Sequence, residues 1–144
     1  MKNSIIHMSI IVLTGTASTL YAQTKYAARI PAAVTTAFSK AHPKIKAVWE
    51  EEKGTYEAGF IQNKQKMSEL YSPAGVKTES EVEIKVSLLP DAIKQYVKTH
   101  YKGMSIREGA KISKISGEVN YEAAIEGKDL IFDHKGKFIK EAKD

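Results

Sequence analysis

An internal repeat constrains the fold of this chain most: residues 89–141 have the pattern of a diverged second copy of residues 30–79. Three anchors recur in the same order, and the spacing between copies drifts only slightly, as expected when insertions fall in loops. The anchor pairs are Pro31 with Pro90, Tyr56-Glu57-Ala58 with Tyr121-Glu122-Ala123, and Tyr71 plus Gly75 with Phe132 plus Gly136. The chain should therefore form two similar halves.

Each copy should begin with one amphipathic helix that starts at its proline, because proline suits the first helical position. Apolar residues spaced at i, i+3, i+4 and i+7 predict a single buried stripe on each helix. The stripes are Val34, Ala37, Phe38 and Ala41 in the first copy, and Ile93, Tyr96, Val97 and either His100 or Tyr101 in the second. Phe38 and Val97 align across the copies, so both are predicted to be buried against a sheet.

After each helix the apolar period changes from that of a helix to that of a strand, and glycine-containing turns separate the runs. The predicted strands are 47–52, 55–62, 66–72 and 76–86, then 111–115, 119–125, 128–133 and 137–141. A few strands cannot bury their apolar face alone, so each helix should cover its own antiparallel sheet. The predicted class is α+β, with two tandem helix-plus-antiparallel-sheet repeats, the helices on one sheet face and the other face open.

Residues 1–22 have the pattern of a cleaved signal peptide, with Lys2 before an apolar segment and Ala22 before the expected cut. We expect a flexible leader over 23–29, a first repeat over 30–86 and a second over 87–144, together forming one compact domain. No cysteine is present, which excludes a lipoprotein anchor, disulfides and thiolate metal sites. The mature chain should be periplasmic or secreted, without a membrane span.

The charge pattern argues against nucleic acid as a partner. The formal net charge is +5, but lysines alternate with glutamates over residues 44–53 and 77–85 and form no basic block. A solvated surface accounts for this alternation.

Candidate catalytic groups are few. His42 and His100 lie near the ends of the two predicted helices and His134 lies in a turn. No serine or carboxylate recurs beside them at a spacing that would build a relay. We predict no enzyme, no catalytic residue and no cofactor, with the two helix-terminal histidines favouring the negative end of each helix.

Two acidic segments have some features of cation sites. Neighbouring strand side chains point to opposite faces, so within Glu50-Glu51-Glu52 only Glu50 and Glu52 share one. Residues 133–136 resemble a fragment of a calcium loop but lack its further carboxylates. We predict no metal site, although a small-ligand or cation carrier using the cleft between the copies remains the alternative function.

The candidate partner-binding residues follow from the alternation of strand faces. Tyr56 and Tyr121 lie on the apolar face and should be core. The opposite face carries Glu57, Ile61, Glu122 and Ala124, which could equally be a solvated surface. Trp49, the only tryptophan, could either anchor a partner or fill the core beneath the first helix.

Four motifs together resemble the PepSY-like family of exported bacterial proteins. They are the apolar-Pro-x-Ala-Val helix start (30–34), a tryptophan followed by acidic residues (49–52), Gly-x-Tyr-Glu-Ala (54–58) and an aromatic-x-x-x-Gly turn (71–75). The second copy lacks the tryptophan.

The resemblance implies a fold similar to that of β-lactamase inhibitory protein, in which tandem helix-plus-sheet units present a concave sheet to an enzyme. It also implies a use in inhibition. The function predicted is a non-catalytic exported binding module with a protein partner in the cell envelope, inhibition of an envelope or secreted enzyme being one form of it.

Overall fold

The computed structural model describes residues 30–143. The predicted signal peptide and leader lie outside the described residues. Within them the chain is an α+β fold with two α-helices and one antiparallel sheet of eight strands, whose order in the sheet is their order in the chain. The elements are α1 (Ala32–Ala41), β1 (Val48–Glu52), β2 (Thr55–Gln62), β3 (Gln65–Tyr71), β4 (Lys77–Ile84), α2 (Asp91–His100), β5 (Glu108–Lys114), β6 (Val119–Ile125), β7 (Lys128–Asp133) and β8 (Phe138–Lys143).

The α+β class with an antiparallel sheet is confirmed, and the order of one helix followed by four strands occurs twice. The tandem repeat itself, with the helices on one sheet face, stays a prediction. Common descent of the halves from one repeated unit stays a prediction. The described residues divide into two compact units, 30–80 and 81–143, here called the first and second units. This division falls inside β4, earlier than the repeat boundary expected at residue 86.

Several strand boundaries differ from the sequence prediction by one to three residues, and the structure explains two of these differences. A short 3-10 helix, Val86–Leu88, follows β4 where the strand was expected to continue. β5 starts at Glu108 instead of residue 111, because Gly109 is paired with Ala123 in the sheet. A glycine weakens the strand pattern, yet a Cβ on Gly109 would lie only 3.1 Å from the Leu89 side chain, so close packing explains the glycine.

The core of the first unit forms where α1 packs on its strands. Val34 and Phe38 are its buried helix residues, and Ala41, expected in the stripe, is exposed. The Phe38 ring meets the rings of Trp49 and Phe60 edge to face, with centroids 5.4 and 5.1 Å apart. Phe38 is therefore the centre of an aromatic cluster, in the favoured geometry for such rings.

The second unit repeats this packing with smaller helix side chains. Ile93 and Val97 are buried in one cluster with Ala123, Leu130 and Phe132. Tyr101 packs against this cluster, whereas His100 is exposed, so Tyr101 completes the stripe that the sequence left open. The His100 ring stacks on the ring of the partly buried Tyr96, at a centroid distance of 4.0 Å.

A glycine in each unit lets a strand turn approach the first turn of its helix. Gly75 and Gly136 have φ angles of +78° and +81°, which glycine adopts readily. A Cβ on Gly75 would lie 2.5 Å from the Ala33 carbonyl oxygen, and one on Gly136 would lie 2.8 Å from Ala92 Cβ. The aromatic-x-x-x-Gly pattern thus marks the contact between a turn and a helix start.

Two tight hairpin turns set the register of the first three strands. Glu52 pairs with Thr55 and Gln62 with Gln65, leaving two-residue turns at 53–54 and 63–64. All four turn residues have positive φ angles, between 51° and 80°. This is the type I′ geometry, whose twist matches that of paired strands.

Candidate functional site

The face of the first unit's strands opposite α1 carries the predicted partner-binding residues Glu57 and Ile61. Strand register places Glu57 between Glu50 and Leu70, and pairs Ile61 with Lys66. Ile61 is 54% exposed, and Glu57 is half-buried. Ile61 is an exposed apolar side chain next to Lys66, and Glu57 lies on the same face four residues earlier in β2. Apolar surface bordered by charged groups is of the kind that a protein partner can cover.

The corresponding face of the second unit differs from the prediction. Glu122 is only 3% exposed, so the expectation of an exposed carboxylate there is wrong. It lies in a row with Ala110 and Ile131, which are themselves buried. Alternation along the strand assigns Glu122 to the correct face of the sheet. How exposed its side chain is on that face depends on the residues of the neighbouring strands. Ala124 is half-buried opposite Asp129.

Trp49 lies on the α1 side of β1 and is partly buried against the first unit's core. Besides its contact with Phe38, its ring lies 6.1 Å from that of Tyr71, centroid to centroid. Trp49 and Ile61 therefore occupy opposite faces of the first unit, and a partner covering Ile61 would not cover the packed side of Trp49. Tyr56 is buried as predicted, whereas Tyr121 is partly buried against the second core.

Sequence reasoning missed a buried carboxylate in the first unit. The Glu69 side chain is 3% exposed and lies on the α1 side of β3, next to Ala58. It accepts hydrogen bonds from the Tyr71 hydroxyl and from Lys77 Nζ, the latter at 2.7 Å. Because a buried charge is costly without partners, these donors make the ionised carboxylate tolerable.

His42 connects this carboxylate to the end of α1. Its backbone N–H caps the helix by donating to the Phe38 carbonyl, at 2.8 Å. Its ring lies against Phe60, with Nε2 3.1 Å from Glu69 Oε2 and Nδ1 3.1 Å from Gln62 Oε1. His42, one of the candidate catalytic histidines, thus packs between aromatic and polar groups and connects the end of α1 to β2 and β3.

The electrostatic balance at Glu69 favours its charged form. Burial is the largest influence and by itself raises the pKa of Glu69, but the contacts with Lys77, Tyr71 and His42 together outweigh it and lower the pKa. Burial and the hydrogen bond to Glu69 raise the pKa of Tyr71. Tyr71 therefore stays a neutral donor and Glu69 an anionic acceptor over the ordinary pH range.

Positions equivalent to this polar cluster are more apolar in the second unit. By the spacing of the anchors, Glu69, Tyr71 and Lys77 correspond to Leu130, Phe132 and Phe138, and His42 to Tyr101. The rings of Phe132 and Phe138 meet edge to face, 5.8 Å apart between centroids. Glu69 was detectable from the sequence as a charged residue where the other copy has leucine.

Acidification should destabilise the first unit through Glu69. Because the pKa of Glu69 is lower in the folded chain than its ordinary value of 4.5, its stabilisation is complete above that pH and is lost as pH falls through the folded value. Glu69→Gln should remove this part of the pH dependence and cost about 2 kcal/mol at neutral pH.

Urea unfolding of the wild type and Glu69→Gln, from neutral pH to below the ordinary glutamate pKa, measures this effect. Glu126→Gln, an exposed carboxylate paired only with exposed Arg107, is the control. Parallel pH profiles for Glu69→Gln and the wild type would rule out Glu69 as the source.

The remaining candidate residues for catalysis or metal binding, His100, His134 and Asp133, do not form a reactive site with one another. His100 and His134 are exposed and belong to different elements. Asp133 Oδ1 accepts backbone hydrogen bonds from Lys135 and Lys137, both at 2.9 Å, so the supposed calcium-loop fragment is a turn closed by its own aspartate. Over residues 30–143, no three His, Asp or Glu side chains are grouped so that they could hold a metal ion.

Neither helix in residues 30–143 has the length and apolar character needed to cross a membrane.

Comparison with known proteins identifies the fold but no family. No protein-family model matches the chain, and no curated protein matches it. The PepSY-like resemblance thus stays a prediction.

Several solved structures share the fold. A candidate periplasmic protein of Bacteroides eggerthii aligns with a TM-score of 0.67 at 14% identity, covering 78% of this chain and 88% of that one. A DUF2874 family protein of Bacteroides ovatus gives 0.63 at 15% identity, covering 78% and 86%. A BLIP-like protein of Bacteroides fragilis gives 0.57 at 17% identity, with the same coverage. At such low identity the likeness is one of fold, and the predicted similarity to the β-lactamase inhibitory protein fold is supported.

Proposed function

We propose that this chain is a non-catalytic exported binding protein that recognises a protein partner through the sheet face carrying Ile61. The observation that carries the proposal is the difference in burial between the two faces of the first unit's strands. One face packs against Val34 and Phe38 of α1, whereas Ile61 is 54% exposed on the other. Exposed apolar residues beside charged ones are typical of interface patches.

The fold supports one class of partner. We propose an envelope or secreted enzyme, such as a β-lactamase or a protease, that is inhibited when the sheet face covers it. The likeness to a BLIP-like protein supports this class, and the signal-peptide pattern of residues 1–22 supports export. The contact between His42 and Glu69 also accords with a non-catalytic role, because these two side chains pair with each other inside the first unit.

Substitutions on the two faces should separate binding from folding. Ile61→Asp and Glu57→Lys should weaken binding of an inhibited enzyme by about tenfold or more, because one removes an apolar contact and the other reverses a charge. The measurement is the inhibition constant of the mature chain, residues 23–144, against a panel of β-lactamases and secreted proteases. Affinity capture from a periplasmic extract extends the panel.

Matched controls make this test specific. Glu51→Lys applies the same charge change on the α1 side of β1, where Glu51 pairs with Tyr56. Ile115→Asp applies the other change at an isoleucine that is 72% exposed in a turn of the second unit. Both controls should inhibit like the wild type. If no enzyme is inhibited or captured, or if the controls weaken binding as much as the test variants, the proposed surface is wrong.

A further inference from the structure

The second unit contains an open pocket between α2 and the chain that follows it. Its volume is about 300 Å³, at the lower end of the range for small-molecule sites. Five of its lining residues are apolar or aromatic: Val86, Val97, Tyr101, Met104 and Ile106. Val97 is buried, and the other four have accessible surface. The site is separate from the Ile61 face, which belongs to the first unit.

The pocket lies beside a position where the two units differ in side-chain volume. Val97 occupies the position on α2 that Phe38 occupies on α1. The Phe38 ring fills its unit by packing on Trp49 and Phe60, whereas the second sequence copy has no tryptophan and places a valine at the helix. Met104, another lining residue of the pocket, is 41% exposed.

The charged groups lining the pocket are Lys94 and Lys98, with no acidic side chain among the lining residues. They are four residues apart on α2 and therefore lie on the same side of the helix. Lys94 Nζ is 2.7 Å from Asp91 Oδ1. Lys98 makes no hydrogen bond or ion pair with any residue in 30–143, so its ammonium group is available to an incoming anion.

We propose that this pocket binds a small amphipathic carboxylate, a medium-chain fatty acid being the simplest form. The alkyl chain would lie on Tyr101, Met104 and Ile106, and the carboxylate would accept a hydrogen bond from Lys98. An uncharged amphiphile would leave Lys98 without a partner, and a cationic one would be repelled by it. This ligand class follows from an apolar lining combined with the Lys98 ammonium group on the rim.

The test uses octanoate as the probe, with acetate and octyltrimethylammonium as controls for the alkyl chain and for the charge. Isothermal titration calorimetry on the mature chain should show saturable binding of one octanoate per chain and none of the two controls. Backbone NMR shifts should change around residues 97–106. Lys98→Glu should weaken octanoate binding by about tenfold or more, because a charge-assisted hydrogen bond is replaced by repulsion.

Two further variants locate the site. Lys111→Glu changes an exposed lysine on β5 outside the pocket and should bind octanoate like the wild type. Val97→Phe should fill the pocket and abolish binding; if it does not fold, Lys98→Glu still decides the question.

Absence of saturable octanoate binding, equal binding of the cationic amphiphile, or an unchanged affinity of Lys98→Glu would each overturn the proposal. Ile61→Asp should not alter octanoate binding, so failure of the sheet-face proposal can be distinguished from failure of this one.

Discussion

Replacing Phe38 with alanine should lower the free energy of unfolding by about 3 to 5 kcal/mol, the usual cost of removing a buried phenylalanine. The Phe38 ring contacts the rings of His42, Trp49 and Phe60, so its loss would leave a cavity bordered by all three. Val97→Ala, at the equivalent position in the second unit, should cost less because fewer atoms are removed. Urea or thermal denaturation followed by circular dichroism measures both changes.

Thr36→Ala is a suitable control, since Thr36 is an exposed residue in the middle of the same helix. It should change the unfolding free energy by no more than about 0.5 kcal/mol. If Phe38→Ala unfolds at the same urea concentration as the wild type, the packing of α1 against β1 and β2 is not as described.

Replacing Gly75 with alanine should be the second severe change. The positive φ angle costs an alanine about 1 to 2 kcal/mol. The new Cβ, placed 2.5 Å from the Ala33 carbonyl oxygen, would also force the turn and the helix start apart, at a further cost of about 1 to 3 kcal/mol. Equilibrium unfolding in urea gives the total.

Gly54 separates these two contributions. Its φ angle is +80°, close to the +78° of Gly75, but a Cβ there would meet no atom within 4 Å. Gly54→Ala should therefore show the backbone cost alone. Equal destabilisation by the two substitutions would mean that the contact between the turn and the helix start contributes nothing.

The sequence predicted the elements of this fold well because each has a strong local signal. Pro31 and Pro90 mark helix starts, and the alternation over 55–62 and 119–125 corresponds to β2 and β6 with the expected bounds. Gly75 and Gly136 were recognised as turn residues, but their contacts with α1 and α2 depend on three-dimensional placement that no local pattern contains.

Glu69 and Glu122 show where local reasoning fails. Alternation places a residue on a face of a strand, but it does not say what lies above that face. Glu69 is buried where His42, Tyr71 and Lys77 contact it, and Glu122 lies in a row with the buried residues Ala110 and Ile131. Comparing the two copies would have identified Glu69, whose counterpart is Leu130, but not Glu122, whose counterpart is also a glutamate.

The two type I′ turns, at Lys53-Gly54 and Asn63-Lys64, bear on how the chain folds as well as on its final form. Each joins strands that pair residue for residue from the turn outward, so forming β1–β2 and β2–β3 closes very short loops. Closing a short loop sacrifices little chain entropy, and structures dominated by such contacts fold faster than those that must bring distant segments together. The order of the strands along the chain thus allows the first unit's sheet to form from contacts between neighbouring segments, one hairpin at a time.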